Sequence, residues 1–203
     1  RISTWLRDLT WRYIVVSRYK LIIEYDGSNF VGWQWQSNGP SVQQALEDAI
    51  KLFNGLAVRV HGAGRTDAGV HALGQTCHID LLDKTTPETL RDAINAHLRP
   101  KSICVLSAEL VDPKFDARYS AKKRVYYYRI INRRSPLTLD KKRAWKVSRI
   151  LDDKAMQLAA NRLVGKHDFS SFRASSCQAN SPIRTLEKLD ITRISDEIHI
   201  LAI

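Results

Sequence analysis

The apolar run YKLIIEY at residues 19–25 predicts a strand. Asp26-Gly27-Ser28-Asn29 predicts a turn behind it, before the tryptophan- and glutamine-rich stretch FVGWQWQ. Val42, Ala45, Leu46, Ala49, Ile50 and Phe53 then recur at helical spacing, with Ser41 placed to cap the start, Gln44 three residues on, and Gly55 to stop the helix. Two strands are expected next, at 56–60 (LAVRV) and about 74–81, separated by a glycine-rich loop. In the second, Cys77, Ile79 and Leu81 alternate with Thr76, His78 and Asp80, so the first set should be buried and the other wet. Thr86-Pro87 opens a helix carrying Leu90, Ala93, Ile94, His97 and Leu98 on one side, and a strand follows at about 103–110.

Strand, helix, strand, strand, helix, strand is the split βαβ, or ferredoxin-like, order. After Asp112-Pro113 it begins again, with a strand at 125–131 (VYYYRII), a helix from Asp153 to Val164 closed by Gly165, and strands at about 186–193 and 197–203. The expected fold is therefore α+β, with two ferredoxin-like halves in a largely antiparallel sheet and helices on one face. The second half lacks a final helix and strand on this reading. The expected domains are an N-terminal extension (1–18), a first half (19–112) and a second half (113–203).

Thirty-two Lys and Arg against 21 Asp and Glu leave a net charge of +11, which suits a polyanionic partner and directs attention to nucleic acid. Charge alone fits a merely basic protein equally well. Cys77, Cys104 and Cys177 form neither a disulfide framework nor a C-x-x-C pair, which points to a reducing compartment. No apolar run reaches the roughly 18 to 20 residues of a membrane span, so a soluble protein is expected. Residues 1–18 hold four Arg and one acid, faintly like an organellar transit peptide, and read better as an upstream extension.

The densest candidate for chemistry is HGAGRTDAGVHA, residues 61–72. Its glycines permit close approach to a ligand, and Arg65 and Asp67 bring opposite charges two residues apart on a loop between strands, a common place for a site. Taken alone, an aspartate in such a loop is more often a turn residue. A phosphate site is the weaker alternative, because neither the G-K-[ST] ending nor the G-x-G-x-x-G spacing is present. The six histidines show no ligand spacing, so no metal is expected. Lys122, Lys123 and Arg124, with Arg129, Arg133, Arg134 and Lys141-Lys142-Arg143, set cations around aromatic residues as a phosphate-tracking surface does, although each singly reads as a solvated charge. Tyr126 shares a strand face with Tyr128 and Ile130, which in isolation suggests core. Trp33 and Trp35 are expected to pack beneath the glycine loop.

GRTDAGVHA resembles the catalytic motif of the TruA family of tRNA pseudouridine synthases. YDGSNFVGWQWQ (25–36), SVQQALEDAI (41–50), KFDARYSAKKRVYYYRIIN (114–132), HDFSSFR (167–173) and SPIRTL (181–186) resemble family segments in the same order, so the similarity covers nearly all of 19–203. The resemblance implies that Asp67 is the catalytic carboxylate, Arg65 its neighbouring arginine, and Tyr126 the ring that stacks on the target base. It implies tRNA as substrate, with uridines near positions 38 to 40 of the anticodon arm, no cofactor, a homodimer and a cytoplasmic setting. Family members continue beyond the point matching Ile203 with a strand and helix that help build the active site.

The reaction breaks the bond from ribose C1′ to N1 and reattaches uracil through C5 without redox change. A carboxylate can act covalently in such a step. Attack at C6, attack at C1′, and removal of a ribose proton remain open routes. The target base must leave its stack, and an aromatic ring can receive it. The competing readings are a relative that binds RNA without turnover and a small-nucleotide binder using the glycine loop.

Overall fold

The computed structural model describes residues 16–173 and 181–203. The predicted N-terminal extension lies outside these residues up to position 15, and so does Cys177. The chain divides into two compact units, the first running to Ala121 and the second from Lys122 to Ile203. Three α-helices and three antiparallel or mixed sheets among the described residues make the protein α+β.

The first unit contains β1 (Ser17–Tyr25), α1 (Val42–Asn54), β2 (His61–Gly62), β3 (Ala72–Leu81), α2 (Pro87–Leu98) and β4 (Ile103–Val111). Its sheet runs β2-β3-β1-β4 with every pair antiparallel. Successive strand residues face opposite sides, so Tyr19, Leu21, Ile23 and Tyr25 of β1 all point one way. They are buried with Leu46 and Ile50 of α1 and Leu90, Ile94 and Leu98 of α2. Removing each such side chain from water contributes about 1.5 to 3 kcal/mol, and this shared apolar layer fixes which face the helices cover.

Both helices start and stop on local chemistry. The Ser41 hydroxyl accepts the Gln44 N–H at 3.2 Å, and Gly55, in the left-handed region at φ 77°, ends α1. Thr86 caps α2 by accepting the Thr89 N–H at 3.1 Å, with Pro87 in the first turn. His97, expected beside Leu98, is exposed.

Several expectations need correction. Ser17 and Arg18 belong to β1 and not to an extension, and the Arg18 guanidinium grips both Asp80 oxygens at 2.7 Å. Residues 56–60 form no strand; at the end of the segment α1 side chains take the Val60 backbone groups, Glu47 Oε1 accepting the Val60 N–H at 3.1 Å and Gln43 Nε2 donating to the Val60 carbonyl at 3.0 Å. His78 is buried, not wet; it stacks on His61 with centroids 4.8 Å apart, and its Nδ1 accepts the Ala117 N–H at 3.0 Å. That bond, with Arg18 donating to the Phe115 carbonyl at 2.7 Å, holds the segment after β4 to the first unit.

The second unit contains β5 (Tyr126–Ile131), β6 (Trp145–Lys146), α3 (Asp153–Asn161), β7 (Gly165–Asp168), β8 (Ile183–Leu186), β9 (Leu189–Ile194) and β10 (Glu197–Ala202). One sheet runs β6-β5-β10-β9, and β7 pairs with β8 separately. The short strands β6, β7 and β8 carry no strong alternation and were not expected. α3 ends at Asn161, before the predicted Val164, and Gly165 opens a strand instead of closing the helix. The apolar IHILAI segment forms an inner strand paired on both sides, by β5 and by β9, with Ile198 fully buried.

The two units use one device at a sheet edge. Asn95 of α2 donates to the Val105 carbonyl at 2.9 Å and accepts the Val105 N–H at 2.7 Å. Gln157 of α3 donates to the Leu189 carbonyl at 3.1 Å and accepts the Ile191 N–H at 2.7 Å. In each case a helix amide satisfies backbone groups that an edge strand leaves unpaired.

Candidate active site

The glycine-rich segment spans the connection from β2 to β3, and the backbone of residues 25–36 cradles it. The Trp33 N–H donates to the Thr66 carbonyl at 3.0 Å, and the Gly69 N–H to the Phe30 carbonyl at 3.3 Å. The Tyr25 and Thr66 hydroxyls lie 2.9 Å apart. His71 Nδ1 accepts the Gly27 N–H at 3.1 Å, and Gln75 donates to the Gly64 carbonyl at 2.6 Å.

This close approach dictates two glycines. A Cβ on Gly27 would sit 2.0 Å from the Val70 carbonyl oxygen, so no side chain fits there. Gly32 has φ 120°, and a Cβ would lie 2.7 Å from the Thr66 oxygen. The glycines of YDG and VGW are thus needed because the catalytic candidate loop lies directly on them.

Asp67 sits between these contacts. Its carbonyl accepts the Val70 N–H at 3.2 Å, closing a turn, while its side chain is exposed. Among the described residues that carboxylate has no hydrogen-bond or ion-pair partner. Arg65, also exposed, is not ion-paired with it. The side chain of Asp67 therefore does none of the backbone capping expected of a turn aspartate. Asp26 does, accepting the Ser28 N–H at 2.9 Å.

Beneath the loop, burial pushes the Tyr25 phenol up, outweighing the opposing Thr66 hydrogen bond, so the hydroxyl stays protonated at neutral pH. Cys77 is buried and pushed up to about 12, which removes it as a rival nucleophile. Trp33 is buried as expected, but Trp35 is 49% exposed and lines an open cleft with Gln36, Pro40 and Gln44. Between them the chain is held by Gln43, a buried residue whose Oε1 accepts the Trp35 backbone N–H at 2.9 Å and the Gln34 amide at 2.8 Å.

The other named residues belong to the second unit. Lys122, Lys123 and Arg124 are exposed on the approach to β5, and Lys123 is ion-paired with Glu187 at 2.5 Å. Tyr126, opposite Ala202 at the start of β5, is 64% exposed. Exposure separates Tyr126 from the core role that its strand periodicity suggests. Its neighbour Tyr127, on the other face, is hydrogen-bonded through its hydroxyl to His199 Nδ1. No group of His, Cys, Asp and Glu among the described residues is arranged to hold a metal ion, and no helix among them is long and apolar enough to cross a membrane.

Sequence reasoning missed Tyr25, Thr66, His71 and Gln43. The signal for Gln43 was present as a polar residue on the inner face of α1, where a buried amide must find partners. Tyr25 and His71 stood in view as members of YDG and GVHA, but their roles depend on two segments some forty residues apart meeting in space.

The family model described as tRNA pseudouridine synthase matches residues 21–120 and 159–202. The chain is 60% identical over 184 residues to the tRNA pseudouridine synthase A of Afipia carboxidovorans, covering 91% of this chain and 75% of that one. It is 57% identical over 184 residues, with the same coverage, to the protein of that name from Parvibaculum lavamentivorans. For the one from a Methylobacterium species the identity is 60% over 181 residues, covering 89% and 72%. The matched segments include the whole cradled loop and the strand pairing that carries it, so the chain belongs to the tRNA pseudouridine synthase family, whose members are isomerases.

Proposed function

We propose that the protein isomerises uridine to pseudouridine in the anticodon arm of tRNA, with Asp67 as the reacting carboxylate. The observation that carries this reading is the exposed, unpartnered Asp67 side chain on a loop whose backbone is pinned on both sides of it. A carboxylate held out by a fixed turn keeps its lone pairs for substrate, and positioning of this kind lowers the barrier without new chemistry. In the reaction the C1′–N1 bond breaks, a C1′–C5 bond forms, the C5 proton leaves and N1 gains a proton.

The other roles follow from the resemblance and the exposure of the residues. Tyr126 offers a ring to the displaced base, worth about 1 to 3 kcal/mol of stacking. Arg65 supplies positive charge beside the reacting carboxylate. Lys122, Lys123 and Arg124 track phosphates. The enzyme acts without a cofactor, as a homodimer, in the cytoplasm.

Release of tritium from tRNA labelled at uridine C5 tests the reading, because only cleavage at C5 liberates it. Stoichiometric release with pseudouridine appearing in the anticodon arm supports it. Tight tRNA binding with no release would instead identify a binding protein.

A further inference from the structure

Asp67 is held from two directions, upstream through Thr66 and downstream through Val70 and His71, and a side chain takes part in each. We infer that His71 is a positioning residue for Asp67, its imidazole locking the far end of the loop onto the Asp26-Gly27 turn. The inference rests on the reading of Asp67 as the reacting group.

His71 Nδ1 lies 3.1 Å from the Gly27 nitrogen and 3.1 Å from Asp26 Oδ1. One nitrogen cannot accept from the first and donate to the second at once. In the tautomer with its proton on Nε2, Nδ1 takes the Gly27 N–H; whenever Nδ1 carries a proton, in the other neutral tautomer or in the imidazolium, it donates to the Asp26 carboxylate. Either way the imidazole is tied to the same turn, and Asp26 is itself oriented by accepting the Ser28 N–H at 2.9 Å. Gly27 is buried, so its N–H has little recourse to water if the imidazole is removed.

The tie reaches Asp67 through one short turn. The Asp67 carbonyl accepts the Val70 N–H at 3.2 Å, and the Val70 carbonyl lies against Gly27 where any Cβ would collide at 2.0 Å. Upstream, Thr66 is fixed by Trp33 at 3.0 Å and by Tyr25 at 2.9 Å. Asp67 thus occupies a span clamped at Thr66 and at Val70-His71. Without the imidazole the downstream clamp rests on the Gly69–Phe30 bond, at 3.3 Å, and on the pairing of Ala72 with Tyr25 beyond the turn. The carboxylate then samples more orientations, and the chemical step slows while contacts to RNA elsewhere persist.

The test compares His71→Leu, His71→Asn and His71→Gln with the parent, using C5-tritiated tRNA. Asn places an amide atom where Nδ1 stands, whereas Gln carries its amide one atom too far. Leu and Gln should lower kcat by roughly 10- to 100-fold, with KM within about twofold of the parent, and Asn should recover to within a few-fold. Hydrogen exchange at the Gly27 amide supplies a readout independent of turnover: slow in the parent and in His71→Asn, faster in the other two. Parental kcat in His71→Leu, Asn no better than Gln, or unchanged Gly27 exchange would each overturn the inference. If His71→Leu does not fold, the Asn and Gln pair decides. A parent that binds tRNA but releases no tritium defeats the proposed function instead, and Gly27 exchange still judges the clamp.

Discussion

The hydroxyl of Tyr25, at the end of β1, lies 2.9 Å from the hydroxyl of Thr66, the residue before Asp67. A strand laid down some forty residues earlier therefore sets the height at which the candidate catalytic carboxylate is presented. The phenol is buried, and burial keeps it protonated, so this contact persists across the neutral range.

Tyr25→Phe removes that single contact and keeps the ring in the core. Stability should fall by about 1 kcal/mol, read as a shift in the urea midpoint. Turnover should fall several-fold with tRNA affinity unchanged. Parental turnover in this variant would mean that the backbone contacts from Trp33 and Phe30 suffice to hold the loop.

His78 links stability to pH. Burial, reinforced by the Arg18 and His61 charges, lowers its pKa from the ordinary histidine value. A group whose pKa is lowered on folding favours the deprotonated folded state. Its contribution is therefore complete above the unfolded value of about 6.5 and is lost as pH falls below it. Protonation also removes the acceptor for the Ala117 N–H. Urea midpoints should drop between pH 7.5 and pH 5.5 in the parent. They should drop less in His78→Asn, which retains an acceptor at the same depth and cannot titrate. Equal slopes in both would assign the pH dependence to other groups.

The basic approach to β5 should not be uniform in effect. Lys123 is ion-paired with Glu187 at 2.5 Å, whereas Lys122 is exposed with no ion pair among the described residues. Lys122→Ala should weaken tRNA binding more than Lys123→Ala and should lower the salt slope by about 0.7 to 0.9. Glu187→Gln should strengthen binding by releasing Lys123. Filter binding at two salt concentrations measures all three, and a flat salt response in the parent would remove phosphate contacts from the account.

The elements with strong periodicity and paired end signals were legible in the sequence. α1 and α2 are capped at Ser41 and Thr86 as expected, because an N-cap side chain and the hydrophobic stripe point to the same start. The strand expected at 56–60 does not form; the Val60 backbone pairs instead with Gln43 and Glu47 of α1, a tertiary arrangement that nothing in LAVRV announces. His78 alternated with buried residues and still went inside, because stacking on His61 and a bond from Ala117 compensate its polarity. Gly165 carried a stop signal, yet its backbone serves the start of β7. The candidate loop was legible through its resemblance; its supports at Tyr25 and His71 were not, since each acts across a fold that the chain order does not display.

Asp67→Asn tests the central claim most directly. The substitution keeps the size of the side chain and its capacity for turn hydrogen bonds while removing the charge that a nucleophile or base requires. Since the carboxylate has no hydrogen-bond or ion-pair partner among the described residues, the melting temperature should barely move, and tRNA affinity should stay within a few-fold of the parent. Tritium release from C5-labelled tRNA should fall below detection in the variant and be stoichiometric in the parent. Substantial release by Asp67→Asn would contradict the assignment of Asp67 as the reacting group.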